Sequence, residues 1–286
     1  MMMQCLAITG LCLAFQAEGA GKTEQKEASP WPEYFTSTVK EYEIQRMDAD
    51  KHKLVLEPKP IFRWSNPVRG PVHDALLFVW LYQGRPAAIG NIFALHGRDE
   101  WQIWHEFHSL DLVPLHATWR GQLLWSPPKA AVEFKPVPDA PAPADSAEER
   151  TRQMRSLARD FTANSIDEKD APWELRLLPQ TIYRYGTADS DVLDGGLFIF
   201  VQATDPELIL LVEARRKDET YQWYYACARF TDYRLQLRYK GTEVWAVAPG
   251  RYRDVTAPHF HFYAERLNSP PAADKKPEQT GSRETK

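Results

Sequence analysis

Two stretches that lie 120 residues apart share one pattern, and this recurrence constrains the fold more than any other feature of the sequence. Residues 118–125 read TWRGQLLW and residues 238–245 read RYKGTEVW, so that an aromatic residue, a base, a glycine and a tryptophan recur in the same order. At the same offset the match extends without a gap back to Asp74 and forward to Trp125. The recurrence predicts two tandem copies of one structural unit.

Each predicted copy begins with a helical pattern. Ser146 stands where an N-cap residue is expected, acidic residues follow it, and Met154, Leu157 and Phe161 recur at helical spacing. In the first copy Pro32 marks the corresponding helix start, and the same helical spacing extends to Tyr42. The rest of each copy alternates between apolar runs and turn residues, which is typical of antiparallel strands. The fold class predicted from these patterns is α+β, with two copies of a helix followed by an antiparallel five-stranded meander sheet.

The predicted strands and segments follow from this scheme. The strands of the first copy are expected at 53–64, 75–83, 87–95, 101–109 and 113–125, and those of the second at 174–185, 196–203, 207–215, 221–230 and 234–247. The segments are a signal peptide (1–20), the first repeat (32–125), a Pro-rich linker with the start of the second helix (126–150), the second repeat (151–249), an extra strand-like segment (250–266) and a disordered tail (267–286).

The N-terminus indicates export. An apolar run extends from Cys5 to Phe15 and small residues follow it, which is the pattern of a cleaved signal peptide, and the run is too short to span a bilayer. We therefore expect an exported protein, periplasmic or extracellular, with no transmembrane segment in the mature chain. Removal of the signal would leave Cys227 as the one remaining cysteine, so no internal disulfide can form.

The charge balance excludes one class of partner. The chain carries 35 Lys and Arg against 39 Asp and Glu, a net charge of −4, and no basic block accompanies its aromatic residues. Nucleic acid is therefore not expected as a partner, because binding to phosphates requires clustered bases. The identity of any ligand or protein partner is left open.

Three stretches resemble a group of exported proteins. HEFHSLDLVPL (105–115), RGQLLWSPP (120–128) and MRSLARDF (154–161) are similar to segments of an uncharacterised group of exported planctomycete-type bacterial proteins, and the similarity extends through both predicted copies. The resemblance implies secretion and a bacterial origin. It implies no activity, and no site residue follows from it.

Histidines are distributed unequally between the two copies, and this is the one feature that repetition does not explain. The sequence has eight histidines, and residues 152–249 contain none of them. Alternation along strands and a tight turn near Leu110 would bring several of them together. The candidate metal ligands are His105, Glu106, His108, His116, His259 and His261. Imidazole nitrogens of this number could hold a divalent ion, although no HExxH motif or cysteine pair supports the site.

Two functional hypotheses remain. The first is an exported, non-enzymatic binding or protein-interaction module that needs no cofactor, with its aromatic-rich strands packed copy on copy or lining a groove. The alternative is a metal-dependent, zinc-type hydrolase with its site in the first repeat. No GxSxG elbow is present in the sequence, so no catalytic residue is assigned.

Overall fold

Long strands dominate the structure. The computed structural model describes residues 29–66, 72–186 and 191–272. Strands make up 54% of it and helices 10%. The predicted signal peptide lies outside the described residues, as does the predicted tail from residue 273 onward.

Two short helices lie within the described part of the chain. Helix α1 (Trp31–Thr38) continues into a 3₁₀ turn (Val39–Glu41), and α2 spans Ala147–Arg159. The predicted N-cap is confirmed, because the Ser146 hydroxyl accepts a hydrogen bond of 3.2 Å from the Glu149 N–H.

Eighteen strands follow one another along the described residues, and we divide them into two halves. The first half comprises α1 with β1 (Tyr42–Arg46), β2 (Val55–Leu56), β3 (Phe62–Asn66), β4 (Val72–Tyr82), β5 (Arg85–His96), β6 (Trp101–Ser109), β7 (Leu115–Trp119) and β8 (Gln122–Trp125). The second half comprises α2 with β9 (Lys135–Pro136), β10 (Phe161–Ile166), β11 (Pro172–Leu177), β12 (Tyr183–Tyr185), β13 (Val192–Gln202), β14 (Asp205–Lys217), β15 (Thr220–Arg229), β16 (Arg234–Tyr239) and β17 (Thr242–Val247). The last strand, β18 (His259–Leu267), returns to the first half.

These strands form three sheets. One has the order β1-β7-β8, and a six-stranded sheet has the order β18-β6-β5-β4-β2, with β3 also paired to β4. The third has nine strands in the order β17-β16-β10-β11-β13-β14-β15-β9, with β12 also paired to β13. The eight strands of its main path curl into a half-barrel.

The predicted α+β fold of two tandem helix-plus-meander copies is wrong: the protein is mainly β, and its halves are built differently. In the first half β1, β7 and β8 form a sheet of their own, whereas β10, β16 and β17 belong to the large curled sheet, and only the first half gains β18. Tyr42 and Phe161, which helical spacing placed on the helices, instead begin strands β1 and β10. Burial alternates from both residues onward, so the strand period prevails there over the helical one.

The two large sheets pack against each other. On β4, Phe78 and Trp80 face a core within the first half, while Leu77 and Val79 face a second layer. That layer also contains apolar residues of β13, β14 and β15, so both halves share one core. Continuous apolar runs in the sequence mark such strands, which are buried on both faces.

Two segments connect the halves. Within the predicted linker, Val132 and Val137 are buried and β9 pairs with β15. The strand-like segment 250–266 contains most of β18, which pairs with β6.

Along the described part of the chain, no helix is both long enough and apolar enough to cross a membrane.

Candidate functional site

The pairing of β6 with β18 gathers four of the six predicted site residues on one face. Residues that alternate along a strand share a face, which holds for Glu106 and His108 on β6 and for His259 and His261 on β18. The antiparallel register places His259 opposite His108 and His261 opposite Glu106. This face of the sheet is turned toward the second half.

An aspartate from the second half completes the cluster. Asp232, in the loop between β15 and β16, accepts a hydrogen bond from His261, with a distance of 2.7 Å between Nε2 and Oδ2. His259 Nε2 lies 2.7 Å from Glu106 Oε1, and His259 Nδ1 lies 3.7 Å from Asp232 Oδ1. The cluster therefore links the two halves through contacts between histidines of the first half and an aspartate of the second.

Burial sets the protonation of the Glu106–His259 pair. It raises the pKa of Glu106 to about 8, against the charge of His261 and a hydrogen bond from Asn91, which both lower it. Burial, together with the charges of His261 and Arg229, lowers the pKa of His259 to about 3. At neutral pH the protonated Glu106 carboxyl donates to His259 Nε2, and this leaves the ring proton on Nδ1, the nitrogen nearer Asp232.

The His261–Asp232 pair favours its charged forms instead. Burial opposes the charge on His261, but the hydrogen bond to Asp232 and the charge of that carboxylate outweigh it and raise the pKa of His261. The same hydrogen bond lowers the pKa of Asp232 against the effect of burial. A pair that favours its charged forms thus lies beside a neutral one.

His108 is held as a neutral imidazole. Its Nδ1 donates to the carbonyl oxygen of Ser109 at 2.6 Å, which fixes the tautomer and leaves Nε2 as the basic nitrogen. Burial, and secondarily His259, lower the pKa of His108 to about 3.

Arg229 brings a buried positive charge to the same place. Its guanidinium donates to the carbonyl oxygens of Thr231, Tyr233 and Ala248, each at 2.8 Å. These acceptors fix the side chain but carry no net charge, and the nearby carboxyl groups of Asp232 and, when it is ionised, Glu106 supply the opposing charge. Burial lowers the pKa of Arg229, yet an arginine stays protonated in proteins.

Three of these residues, His108, Arg229 and His259, line a cavity of about 220 Å³ at the junction of the two halves, which we call the seam cavity. Its lining includes His108, Cys227, Arg229, Trp245, Arg251 and His259. Burial raises the pKa of the Cys227 thiol far above its usual range, so the thiol is not an activated nucleophile. The cavity combines a cationic side, two neutral imidazoles and an apolar wall.

The other two predicted residues lie elsewhere. His105 is fully buried on the opposite face of β6, where it is hydrogen-bonded to the Tyr42 hydroxyl. His116 lies on β7, which pairs with β1 and β8 rather than with β6, and it stands opposite Gln45. The expected pairing of His105 with His116 does not occur, because the chain after β6 crosses to a different sheet.

The gathered residues do not form a recognisable metal centre. Among the described residues, no group of three or more His, Cys, Asp or Glu side chains is arranged to hold a metal ion. Hydrogen bonds engage His259 and His261 with carboxyl groups, and His108 with a backbone carbonyl. The zinc-type hydrolase therefore stays a prediction without a ligand set to support it.

Sequence reasoning missed the residues that the second half contributes. Asp232 and Arg229 flank a turn more than 100 positions from Glu106 in the chain, and no local spacing relates them. Glu213 was also missed as a link between the halves: its carboxylate accepts from Arg85 of the first half at 2.8 Å and from the Tyr185 hydroxyl at 2.7 Å. A charged residue inside an apolar strand was the only signal available for it.

Comparison with known proteins adds no assignment. No family model matches the chain, and neither the curated proteins nor the solved structures include a significant match.

Proposed function

We propose that this protein is a binding module whose ligand site is the seam cavity, and that the cavity receives the carboxylate of a small organic ligand. The observation that carries this proposal is the buried guanidinium of Arg229, which lines the cavity while its hydrogen bonds go to neutral carbonyls. A ligand carboxylate would add a hydrogen-bonded countercharge to that of the nearby Asp232, and charge-assisted pairs with arginine are among the stronger hydrogen bonds.

The rest of the lining fits an organic anion better than an inorganic one. Trp245 and Val247 form an apolar wall, and Arg251 adds a second cation from an exposed position. Pockets that combine an apolar lining with a few polar groups are typical of small-molecule sites. A carboxylate with a short aliphatic body matches both parts of the cavity.

A binding role also agrees with the state of the ionisable groups. Glu106 and His259 are hydrogen-bonded to each other, as are His261 and Asp232, and the Cys227 thiol is protonated. Of these groups His259 and Cys227 line the cavity, and neither presents an activated nucleophile. Export of the mature chain, as its N-terminus predicts, belongs to the same proposal.

The experiment compares an acid with its neutral amide. We expect N-acetylvaline to bind in calorimetric titration and N-acetylvalinamide to bind at least tenfold more weakly, since the amide cannot provide the countercharge. Arg251→Gln should weaken binding of the acid several-fold. Arg253→Gln, in the same loop but outside the cavity lining, is the matched control and should leave binding unchanged. Equal binding of acid and amide, or no binding of either, would contradict the proposal.

A further inference from the structure

His108 presents an unpaired nitrogen to the seam cavity. The residue lines the cavity and is 3% exposed. Its Nδ1 is bonded to the Ser109 carbonyl, and no residue in the described part of the chain forms a hydrogen bond with its Nε2. On the other face of β6, His105 Nε2 also lacks a partner but is fully enclosed, whereas His108 Nε2 is open to the cavity. Buried polar atoms are as a rule hydrogen-bonded, so this nitrogen calls for a partner that enters the cavity.

Among the described side chains that line the seam cavity, His108 supplies the one free acceptor nitrogen. Arg229, Arg251 and Trp245 carry only donors. His259 Nε2 already accepts from a carboxyl group, and its Nδ1 carries the ring proton. A ligand in the cavity therefore meets side-chain donors on several sides and an open side-chain acceptor at His108.

The free nitrogen of His108 accepts hydrogen bonds and does not donate them. Burial, and secondarily His259 and the charge of Arg229, lower the pKa of His108 to about 3. The ring is therefore neutral at neutral pH, and the proton on Nδ1 leaves a lone pair on Nε2. A hydroxyl or an amide N–H of a ligand satisfies this nitrogen. A keto oxygen or a second carboxylate would face it with another lone pair.

Arg229 has hydrogen atoms left for the same ligand. Its Nε, Nη1 and Nη2 each donate one hydrogen bond to a backbone carbonyl. Each Nη atom carries a further hydrogen, which a carboxylate oxygen can accept. The first half supplies His108 from β6 and the second half supplies Arg229 from β15. Because the cavity holds only about 220 Å³, the groups that meet these two residues must belong to one small molecule.

We infer that the seam cavity selects small carboxylates that carry a neutral hydrogen-bond donor close to the carboxylate, with His108 Nε2 as the acceptor for that donor and Arg229 as the partner of the carboxylate. This inference rests on the proposed function and narrows its ligand class to hydroxy acids and N-acylated amino acids. A site built to hydrogen-bond a ligand hydroxyl or N–H rejects analogues that lack it, because the buried acceptor is then left unpaired. His108 is in this sense a specificity-determining residue.

The test compares three acids that share one carbon skeleton in calorimetric titrations of the whole protein. They are isovalerate, α-ketoisovalerate and each enantiomer of α-hydroxyisovalerate. Only the hydroxy acid offers a donor, while the keto acid places an oxygen on the same carbon without one. We expect the tighter enantiomer of the hydroxy acid to bind about tenfold more tightly than either of the other acids, since an unsatisfied buried acceptor is costly.

A variant of His108 ties this preference to its Nε2. His108→Asn can keep an amide donor for the Ser109 carbonyl but has no atom in the place of Nε2. The variant should bind all three acids with the affinity that the wild type has for isovalerate. His96→Asn, at an exposed position of β5 outside the cavity lining, is the matched control and should keep the wild-type preference.

A second measurement needs no variant and decides the matter if His108→Asn fails to fold. In protein with nitrogen-labelled histidine, the NMR resonance of His108 Nε2 should move on addition of α-hydroxyisovalerate and stay in place with isovalerate. A resonance that the hydroxy acid leaves in place would overturn the inference.

The outcomes separate this inference from the proposed function. If isovalerate binds as tightly as the hydroxy acid, or if N-acetylvaline binds and the hydroxy acid does not, this inference falls and the carboxylate site stands. If neither N-acetylvaline nor any of the three acids binds, both fall. Equal binding of the keto acid and the hydroxy acid would overturn the donor requirement, and a preference for the hydroxy acid that survives in His108→Asn would overturn the role of His108.

Discussion

His259 and Glu106 are joined by a hydrogen bond of 2.7 Å between Nε2 and Oε1, diagonally across the pairing of β18 with β6. The bond joins a neutral imidazole to a protonated carboxyl group, because burial disfavours the charged form of each. The pair lies at the junction of the halves, so its protonation bears on stability as well as on the ligand site.

The first prediction concerns Glu106. Burial raises its pKa from 4.5 to about 8, so the stability that the protonated group provides is complete below pH 4.5 and is lost as the pH rises to 8. Glu106→Gln keeps a donor for His259 and does not titrate. Between pH 5 and 8.5, we expect the free energy of unfolding of the variant to rise relative to that of the wild type. The expected rise is on the order of a few kcal/mol.

Urea unfolding at several pH values checks this. Glu174→Gln, on an exposed position of β11, is the control and should follow the wild type across the range. A Glu106→Gln curve parallel to the wild-type curve would show that Glu106 does not titrate differently in the folded state.

The second prediction concerns His105, whose contribution to stability is lost as the pH falls rather than as it rises. Burial lowers its pKa to about 3, so the stability associated with the neutral ring is complete above pH 6.5 and is lost as the pH falls toward 3. His105→Leu leaves the buried Tyr42 hydroxyl without this partner and should cost about 1–3 kcal/mol at pH 7. Because leucine does not titrate, the difference from the wild type should shrink by pH 4.5. Urea unfolding at both pH values measures it, and a constant difference would refute the prediction.

The third prediction concerns the ion pair between the halves. Glu213 is fully buried and accepts from Arg85, Arg215 and Tyr185. Glu213→Ala leaves two arginine charges without their carboxylate, and removing one partner of a buried pair costs about 3–5 kcal/mol. Glu43→Ala, which breaks an exposed pair with Lys53, should cost less than about 1 kcal/mol. Denaturant unfolding of both variants tests the contrast, and similar losses would contradict it.

The fourth prediction concerns export. An apolar run of this length followed by small residues should be removed on secretion, so the mature protein should lack about 20 N-terminal residues. The intact mass of the protein recovered from its native host measures this. A chain that begins at Met1 would overturn the prediction.

Local sequence patterns identified the parts of the structure that depend on neighbouring residues. Ser146 caps α2 because a hydroxyl at that position reaches the Glu149 N–H within one turn. Glu106 and His108 share a face, as do His259 and His261, because side chains alternate along any strand. The same patterns failed where helical spacing and strand alternation overlapped. Tyr42 and Phe161 therefore lie in strands rather than in helices.

Tertiary structure decided everything that depends on which strands pair. The sequence alone determined that four polar residues would lie in two pairs on strand faces, and it determined the cap, the turns and the apolar runs. Only the fold set β18 beside β6, sent β7 to another sheet with His116, and brought Asp232 and Arg229 to the cluster. The physical reason is that strand pairing is a long-range choice, set by the burial of whole faces, and no spacing within one segment encodes it.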